Sequence, residues 1–322
     1  VSHRSLFDEE LTTVSKTAFT PQRESSDLSP VESRGVAAPV FETKWGKLYC
    51  ADAIEWLKTL PSESVDLIFA DPPYNIKKAE WDTFASQQQY VDWSLKWIQE
   101  AHRILKPTGT LYICGFSEIL ADVKWAAASL FAGCKWLVWH YRNKANMGGD
   151  WGRSHESILH FRKSREFTFN LDAVREPYNQ HTLRYPEHPQ AETSQYGTGK
   201  QYVWHPNPLG AKPRDVFEIP TLCNTTKEKT FHPTQKPEEL LTKLVAASSH
   251  EGDLVIDPFS GSGTTSVVCE RLKRRWLGCE INPLYCALIR DRLLHPERYA
   301  SERNRMTHNE LSERRARLKN GR

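Results

Sequence analysis

The sequence predicts an α/β fold with a doubly wound, mostly parallel sheet, and three observations carry the expectation. Short apolar runs of strand length alternate with amphipathic stretches of helix length, the pattern that strand–helix–strand crossovers leave in a chain. One such run, Val65 to Ala70, is cut off by Asp71-Pro72-Pro73-Tyr74, as a buried strand is when it reaches the sheet edge. A second, Asp253 to Asp257, runs into Pro258-Phe259-Ser260-Gly261-Ser262-Gly263, a tight loop ahead of a helical segment.

Regular structure is expected from Lys47 to Asp52, a short strand, and then over Ala53 to Leu60, a helix with apolar residues at helical spacing. After Val65 to Ala70 comes a polar loop holding Lys77, Lys78 and Trp81. Residues 87–105 then set Tyr90, Trp93, Trp97, Ala101 and Leu105 on one helical face. Lys106-Pro107-Thr108-Gly109 breaks that helix, and Thr110 to Cys114 reads as the next strand. Trp136 to Tyr141 and Glu156 to Arg162 are further strand-like runs. His155, Glu156 and His160 are spaced one residue too far for a His-Glu-x-x-His zinc site, and strand alternation accounts for them. Pro237 opens a helix with acidic residues in its first turn. A helix from Thr264, a strand over Trp276 to Cys279 ending at Glu280, and a helix over Pro283 to Leu293 complete the pattern.

Five segments follow from this reading. Residues 1–40 mix Ser, Thr, Glu, Pro and Arg without periodicity and read as a mobile arm. Residues 41–165 and 231–295 form the two halves of the main domain. Between them, 166–230 is dominated by Pro, Asn, His, Tyr and Lys, too long for an idle loop and expected to be a functional insertion. Residues 296–322 form a tail rich in arginine, a solvated end or a phosphate contact.

A chain of 322 residues can bury a substantial core, and 39% hydrophobic residues with eleven tryptophans argue against global disorder. The formal charge of +3 confines any nucleic-acid surface to a local patch. Seven scattered cysteines with no Cys-x-x-Cys pair are expected to be reduced core residues of a cytoplasmic protein, with no metal framework. No stretch approaches the ~20 apolar residues of a membrane span, and no signal-type apolar region opens the sequence, so no membrane association is expected.

A strand, a loop with Gly261 and Gly263, a helix and a second strand ending in Glu280 make the first half of a nucleotide-binding βαβ unit. The glycines allow close backbone approach to a ligand, and an acidic residue at the second strand end can accept both ribose hydroxyls. A nicotinamide or flavin enzyme uses the same scaffold, normally with a third glycine where Ser266 stands. The companion motif separates the two: Asp71 to Tyr74 at another strand end has no use in hydride transfer and suits an amine methyltransferase. That pairing favours S-adenosylmethionine as the cofactor.

Three segments together resemble one family. Asp71-Pro72-Pro73-Tyr74 resembles the Asp/Asn/Ser-Pro-Pro-Tyr motif of DNA amino-methyltransferases, Asp257 to Thr265 looks like their donor-binding motif, and His232-Pro233-Thr234-Gln235-Lys236-Pro237 is similar to the segment just before it. The catalytic motif precedes the variable region and the donor motif, an order that resembles the circularly permuted β class. The resemblance implies a class I, Rossmann-like methyltransferase domain, with target recognition assigned to 166–230, acting on duplex DNA in a restriction-modification or epigenetic setting. It also implies that Asp257, Phe259, Gly261 and Gly263 line the methionine and ribose end of the donor, with Glu280 on the ribose. Asp52 would lie near the donor adenine unless it only caps a helix, and Thr234, Gln235 and Lys236 would close over the methionine moiety. β-class relatives are often homodimers.

An exocyclic amine is a poor nucleophile because its lone pair is delocalised into the base. The Asp71 carboxylate and the Pro72 carbonyl, stiffened by Pro73, are the expected acceptors for its hydrogens, and Tyr74 is expected to stack on the flipped-out base. Asp at the first motif position is more typical of N6-adenine enzymes in the family and Ser of N4-cytosine enzymes; a DNA-binding regulator on an inactive fold is a further alternative. Phosphate contacts are expected from Lys144 and Arg153 in one loop and from Lys212 and Arg214 in the insertion.

Overall fold

The computed structural model describes residues 38–75, 82–143, 149, 151–190 and 202–299. Strand β1 (Phe41–Glu42) turns back antiparallel onto β2 (Gly46–Cys50), which leads into helix α1 (Ala53–Thr59). Then follow β3 (Val65–Ala70), α2 (Gln87–Ile104), β4 (Leu105–Gly115), α3 (Ser117–Ala127) and the hairpin strands β5 (Gly133–His140) and β6 (His155–Arg162). The middle of the chain holds α4 (Gln180–Arg184), the small antiparallel pair β7 (His188–Gln190) and β8 (Tyr202–Trp204), and β9 (Val216–Glu218). The last part runs α5 (Glu238–Ser248), β10 (Leu254–Asp257), α6 (Thr264–Arg271), β11 (Arg275–Glu280), α7 (Pro283–Leu294) and α8 (Pro296–Tyr299).

Nine strands form one sheet in the order β1-β2-β11-β10-β3-β4-β6-β5-β9. The run from β2 to β4 is parallel throughout, whereas β6 is antiparallel to both β4 and β5. From β10 the chain winds to β11, and from β3 it winds the other way to β4. The reversal therefore lies between β10 and β3, which pair through Val255 with Leu67 and Ile256 with Ile68. Ligands of open parallel sheets bind outside the carboxyl ends of strands at such a switch point. The pairing of β11 with β2, Glu280 opposite Cys50, joins distant parts of the chain as the permuted motif order requires.

Side-chain alternation along the central strands feeds two core layers. In β4, Leu111 and Ile113 pack with Trp56, Trp97 and Ile98 of α1 and α2, while Tyr112 and Cys114 pack with Leu240, Leu244 and Val245 of α5. Both faces of the sheet are covered, which explains the near-continuous apolar runs of β3 and β10. Helix α2 begins where the Ser86 hydroxyl caps the Gln89 amide and ends at Leu105, whose amide still donates to Ala101.

Three expectations change. Leu105, read as part of the helix, and 106–109, read as a helix break, already belong to β4, because Leu105 pairs with Val65 across an irregularity in the ladder. Helix α3 has no counterpart in the sequence reading. The stretch 166–230 is not wholly separate from the main sheet either: β9 extends it beside β5, with Trp139 opposite Phe217. Most of the N-terminal arm and residues 300–322 of the basic tail lie outside the described residues, as do Lys77, Lys78 and Trp81.

Candidate active site

A cleft of ≈ 250 Å³ opens at the switch point, lined by the strand-end loops of β3 and β10, the start of α6, residues 51–54 and the segment preceding α5. The strand ends position its polar groups. Asp71 follows Ala70, the last residue of β3; Asp257 ends β10; Glu280 ends β11.

On the β10–β11 side, Glu280 is buried and accepts from two backbone amides, Gly261 at 2.7 Å and Asn282 at 2.9 Å. Burial raises its pKa against those two amides. Each carboxyl oxygen keeps a further acceptor site, so Glu280 can still receive hydroxyls. Gly261 has φ +50°, and a Cβ there would stand 3.1 Å from the His232 ring. Asp257 accepts from the Thr265 hydroxyl at 2.5 Å and the Phe259 amide at 3.0 Å, yet burial pushes its pKa up to about 7. Below the loop, Arg292 is 1% exposed and donates to the Ser262 carbonyl at 2.6 Å and to Glu238 at 2.9 Å, clamping the loop onto α5.

On the β3 side, the Asp71 carboxyl is held at both oxygens. Tyr74 Oη donates to Oδ1 at 2.6 Å, and Lys236 Nζ donates to Oδ2 at 2.7 Å. Glu156, near the start of β6, stands beside them with Oε2 3.1 Å from Tyr74 Oη and 3.4 Å from Lys236 Nζ. Burial works to strip the Lys236 proton, but the carboxyl groups of Asp71 and Glu156 outweigh it and hold the ammonium above its usual range. Burial, with the same two acids, raises the Tyr74 phenol well above its usual value, so it remains protonated. The Tyr74 amide is anchored to buried Asp82 at 2.6 Å, and its ring meets Phe116 edge-on at 5.0 Å.

The arrangement fits a cationic nucleoside donor. Among the described residues around the cleft, the acids Asp71, Glu156, Asp257 and Glu280 outnumber the one ammonium, that of Lys236, and an apolar wall is supplied by Ile54, Trp93, Phe259 and Ile281. His232 also lines the cleft, and its buried Nδ1 has no hydrogen-bond partner among the described residues.

Comparison with known proteins agrees. A family model described as DNA methylase, for N6 and N4 methyltransferases, matches residues 65–291. The chain belongs to this DNA methylase family. The methylase is 36% identical over 252 residues to the type II methyltransferase M.HpaI of Haemophilus parainfluenzae, covering 77% of this chain and 74% of that protein. It is 35% identical over 259 residues to the DNA adenine methyltransferase YhdJ of Escherichia coli (strain K12), covering 78% and 83%. The fold matches that of the cytosine-N4-specific PvuII DNA methyltransferase with a TM-score of 0.60 at 20% identity, over 88% of this chain and 96% of that one. A putative DNA modification methylase of Thermus thermophilus, complexed with S-adenosyl-L-methionine, superposes with a TM-score of 0.53 at 25% identity, over 77% and 93%. S-adenosylmethionine is the cofactor of this family, and the methylase carries its motifs in the permuted β-class order.

Of the residues singled out in the sequence, Asp52, Asp71 to Tyr74, Thr234, Gln235, Lys236, Asp257, Phe259, Gly261 and Glu280 all line the one cleft. Several also make contacts within the protein. Asp52 caps α1, its Oδ1 accepting from the amides of Ile54 and Glu55, while it also stands at the cleft. Gly263, at φ +75°, lies behind the loop, where a Cβ would stand 2.8 Å from Ile289; it permits α6 to pack on α7. Gln235 is a scaffold, donating to the Glu228 carbonyl and accepting from Thr230. Lys236 reaches across to Asp71. Tyr74 is nearly buried and spends its hydroxyl on Asp71.

The cations assigned to DNA divide. Arg153 stacks over Phe116 at 3.9 Å and pairs with Glu118, next to the Tyr74 ring. Lys212 is exposed. Arg214 lies just before β9 and lines a different cleft with Tyr112 and Lys243. Lys144 lies outside the described residues. Sequence reasoning missed Glu156, Asp82 and Arg292. Only Glu156 had a signal, an acid near the start of a strand whose middle, Ile158 to Phe161, is apolar apart from His160.

Proposed function

We propose that the chain methylates the exocyclic N6 amine of adenine in duplex DNA, acting on a base turned out of the helix. The observation that carries the reading is Asp71, an aspartate at the first position of its motif, presented at the end of β3 beside the donor-type loop of β10. The likeness to an E. coli protein named as a DNA adenine methyltransferase supports it.

When bound, S-adenosylmethionine supplies an electrophilic methyl on a sulfonium. The protein's residues prepare the nucleophile. An Asp71 oxygen and the Pro72 carbonyl accept the amine hydrogens, drawing the lone pair out of conjugation and toward the direction of attack. The two prolines keep that carbonyl from reorienting. The N–C bond would form as the donor's S–C bond breaks, its electron pair staying on sulfur as a neutral thioether, while Asp71 offsets the positive charge gained by the nitrogen and then takes its proton. The Tyr74 ring gives the base a surface to rest on; such stacking contributes ~1–3 kcal/mol in single-strand binding and offsets part of the unstacking cost. Residues 166–230 serve target recognition in this reading.

The test is to methylate DNA with a labelled donor, digest it to nucleosides and identify the modified one. N6-methyladenine is expected. N4-methylcytosine overturns the adenine assignment while leaving the family intact, and mapping the label identifies the target site.

A further inference from the structure

Both oxygens of Asp71 already accept a hydrogen bond before any substrate arrives. Its Oδ1 receives the Tyr74 hydroxyl and its Oδ2 the Lys236 ammonium, at 2.6 and 2.7 Å, shorter than the usual neutral contact. A carboxyl oxygen polarised in this way is a weaker acceptor for an amine hydrogen. The Tyr74 hydroxyl has a single proton to give, and two acceptors lie within its reach: Asp71 Oδ1 at 2.6 Å and Glu156 Oε2 at 3.1 Å. Moving from one to the other requires rotation of the O–H bond and no displacement of any heavy atom. Lys236 makes the same division, with Asp71 at 2.7 Å and Glu156 at 3.4 Å.

We infer that Glu156 is a positioning residue that frees Asp71 for the substrate amine, by accepting the Tyr74 hydroxyl proton and sharing the Lys236 ammonium. The inference rests on the amino-methylation reading and extends it to a residue outside the family motifs quoted above. β6 supplies the geometry: Glu156 pairs with Trp139 and precedes Ser157, which lies opposite Gly115 at the end of β4, so its carboxyl is held at the same sheet edge as Asp71. The raised phenol pKa keeps a proton on Tyr74 throughout, as a hydroxyl that changes acceptor must. A carboxyl present only to balance charge would need no contact with the Tyr74 hydroxyl.

The test uses the full chain and duplex DNA carrying the mapped site. Wild-type transfer is measured first; if no methyl reaches DNA, the proposed function fails, and the inference with it. Given wild-type transfer, Glu156→Ala is expected to lower the single-turnover rate about 10- to 100-fold while the donor Kd stays within twofold. In the Tyr74→Phe background Glu156→Ala costs less than it does in wild type, because no hydroxyl competes for Asp71 and only the share of the Lys236 ammonium is lost. A donor-free readout accompanies it: the affinity ratio between duplexes bearing the target base and its analogue without the exocyclic amine. That preference falls in Glu156→Ala and survives in Glu156→Gln, whose amide oxygen still accepts from Tyr74. Should Glu156→Ala lose donor binding, Glu156→Leu, which keeps side-chain bulk and cannot accept from Tyr74, is carried through the same rate cycle, with a larger loss expected in wild type than in Tyr74→Phe. A wild-type rate in Glu156→Ala, or equal losses in both backgrounds, overturns the inference and leaves the function standing.

Discussion

Lys236 and Asp71, 165 residues apart in sequence, meet through a 2.7 Å ion pair between the segment leading into α5 and the end of β3. The contact locks the donor-side half of the domain to the half carrying the Asp-Pro-Pro-Tyr loop. Lys236 is 5% exposed, so removing its ammonium leaves the carboxyl groups of Asp71 and Glu156 facing each other with no cation. Breaking a buried pair by deleting one partner costs about 3–5 kcal/mol. Lys236→Ala is expected to lose stability of that order, read as a lower urea midpoint at unchanged slope. Lys236→Arg does not restore activity, since a planar guanidinium cannot replace a compact ammonium beneath the Tyr74 ring, 5.2 Å away.

Asp71→Ala separates binding from chemistry. Glu280, Gly261 and Asp257 hold one another through contacts that do not involve Asp71. Donor affinity by calorimetry is expected to stay within about threefold. Methyl transfer under single-turnover conditions falls at least ~10²–10³-fold, the scale of losing one preorganised electrostatic group. Near-normal turnover would remove the acceptor mechanism.

Glu280→Gln tests the opposite wall. The variant keeps an oxygen for one amide but sets an NH₂ group against the other, at Gly261 or Asn282, and a buried donor facing a donor costs about 1–3 kcal/mol. Donor affinity is expected to fall roughly 10- to 100-fold, with the rate at saturating donor largely kept. A fall in the saturated rate with unchanged affinity would show that Glu280 acts on chemistry rather than on binding.

The parts of the site that could be read in the sequence are those encoded locally. β3 and β10 announce themselves because both sheet faces are covered, leaving near-continuous apolar runs that end at an acid and a proline. The adjacency of β11 and β2 followed from motif order, since a permuted domain must close somewhere. What escaped the sequence depends on distance. Nothing near Lys236 says that its ammonium crosses to Asp71, and nothing near Val216 says that three residues extend the main sheet. The buried Asp82 that ties down the Tyr74 amide, eight residues later, could not be seen from the motif. Gly263 reads as a ligand-facing glycine from its spacing, and only the Ile289 side chain behind it reveals a packing role.

His160 offers a pH test away from the chemistry. Its ring stacks on Tyr112 at 4.7 Å, is 5% exposed, and has no partner for Nε2 among the described residues. Burial, helped by the charges of Arg162 and Lys135, lowers its pKa to about 3, against an unfolded value near 6.5. Below pH 6.5 the unfolded chain therefore binds a proton that the folded chain refuses. The native state loses stability as pH falls from about 6.5 toward 3, and the loss stops growing once the folded ring also titrates. At pH 5 one group with these values costs about 2 kcal/mol, from 1.36 kcal/mol per unit over the 1.5 units below 6.5. His232, with a pKa lowered to about 4 by burial, adds to the same window, and Asp257, raised to about 7, opposes it by binding its proton in the folded state. The wild-type slope alone is thus ambiguous, and the difference from His160→Phe isolates one group, because phenylalanine keeps the stack on Tyr112 and cannot titrate. Between pH 7 and pH 5 the unfolding free energy of His160→Phe is expected to drop about 2 kcal/mol less than that of wild type. Parallel pH profiles for the two proteins would show that the ring gains a proton in the folded state and that a water or a shifted side chain satisfies Nε2.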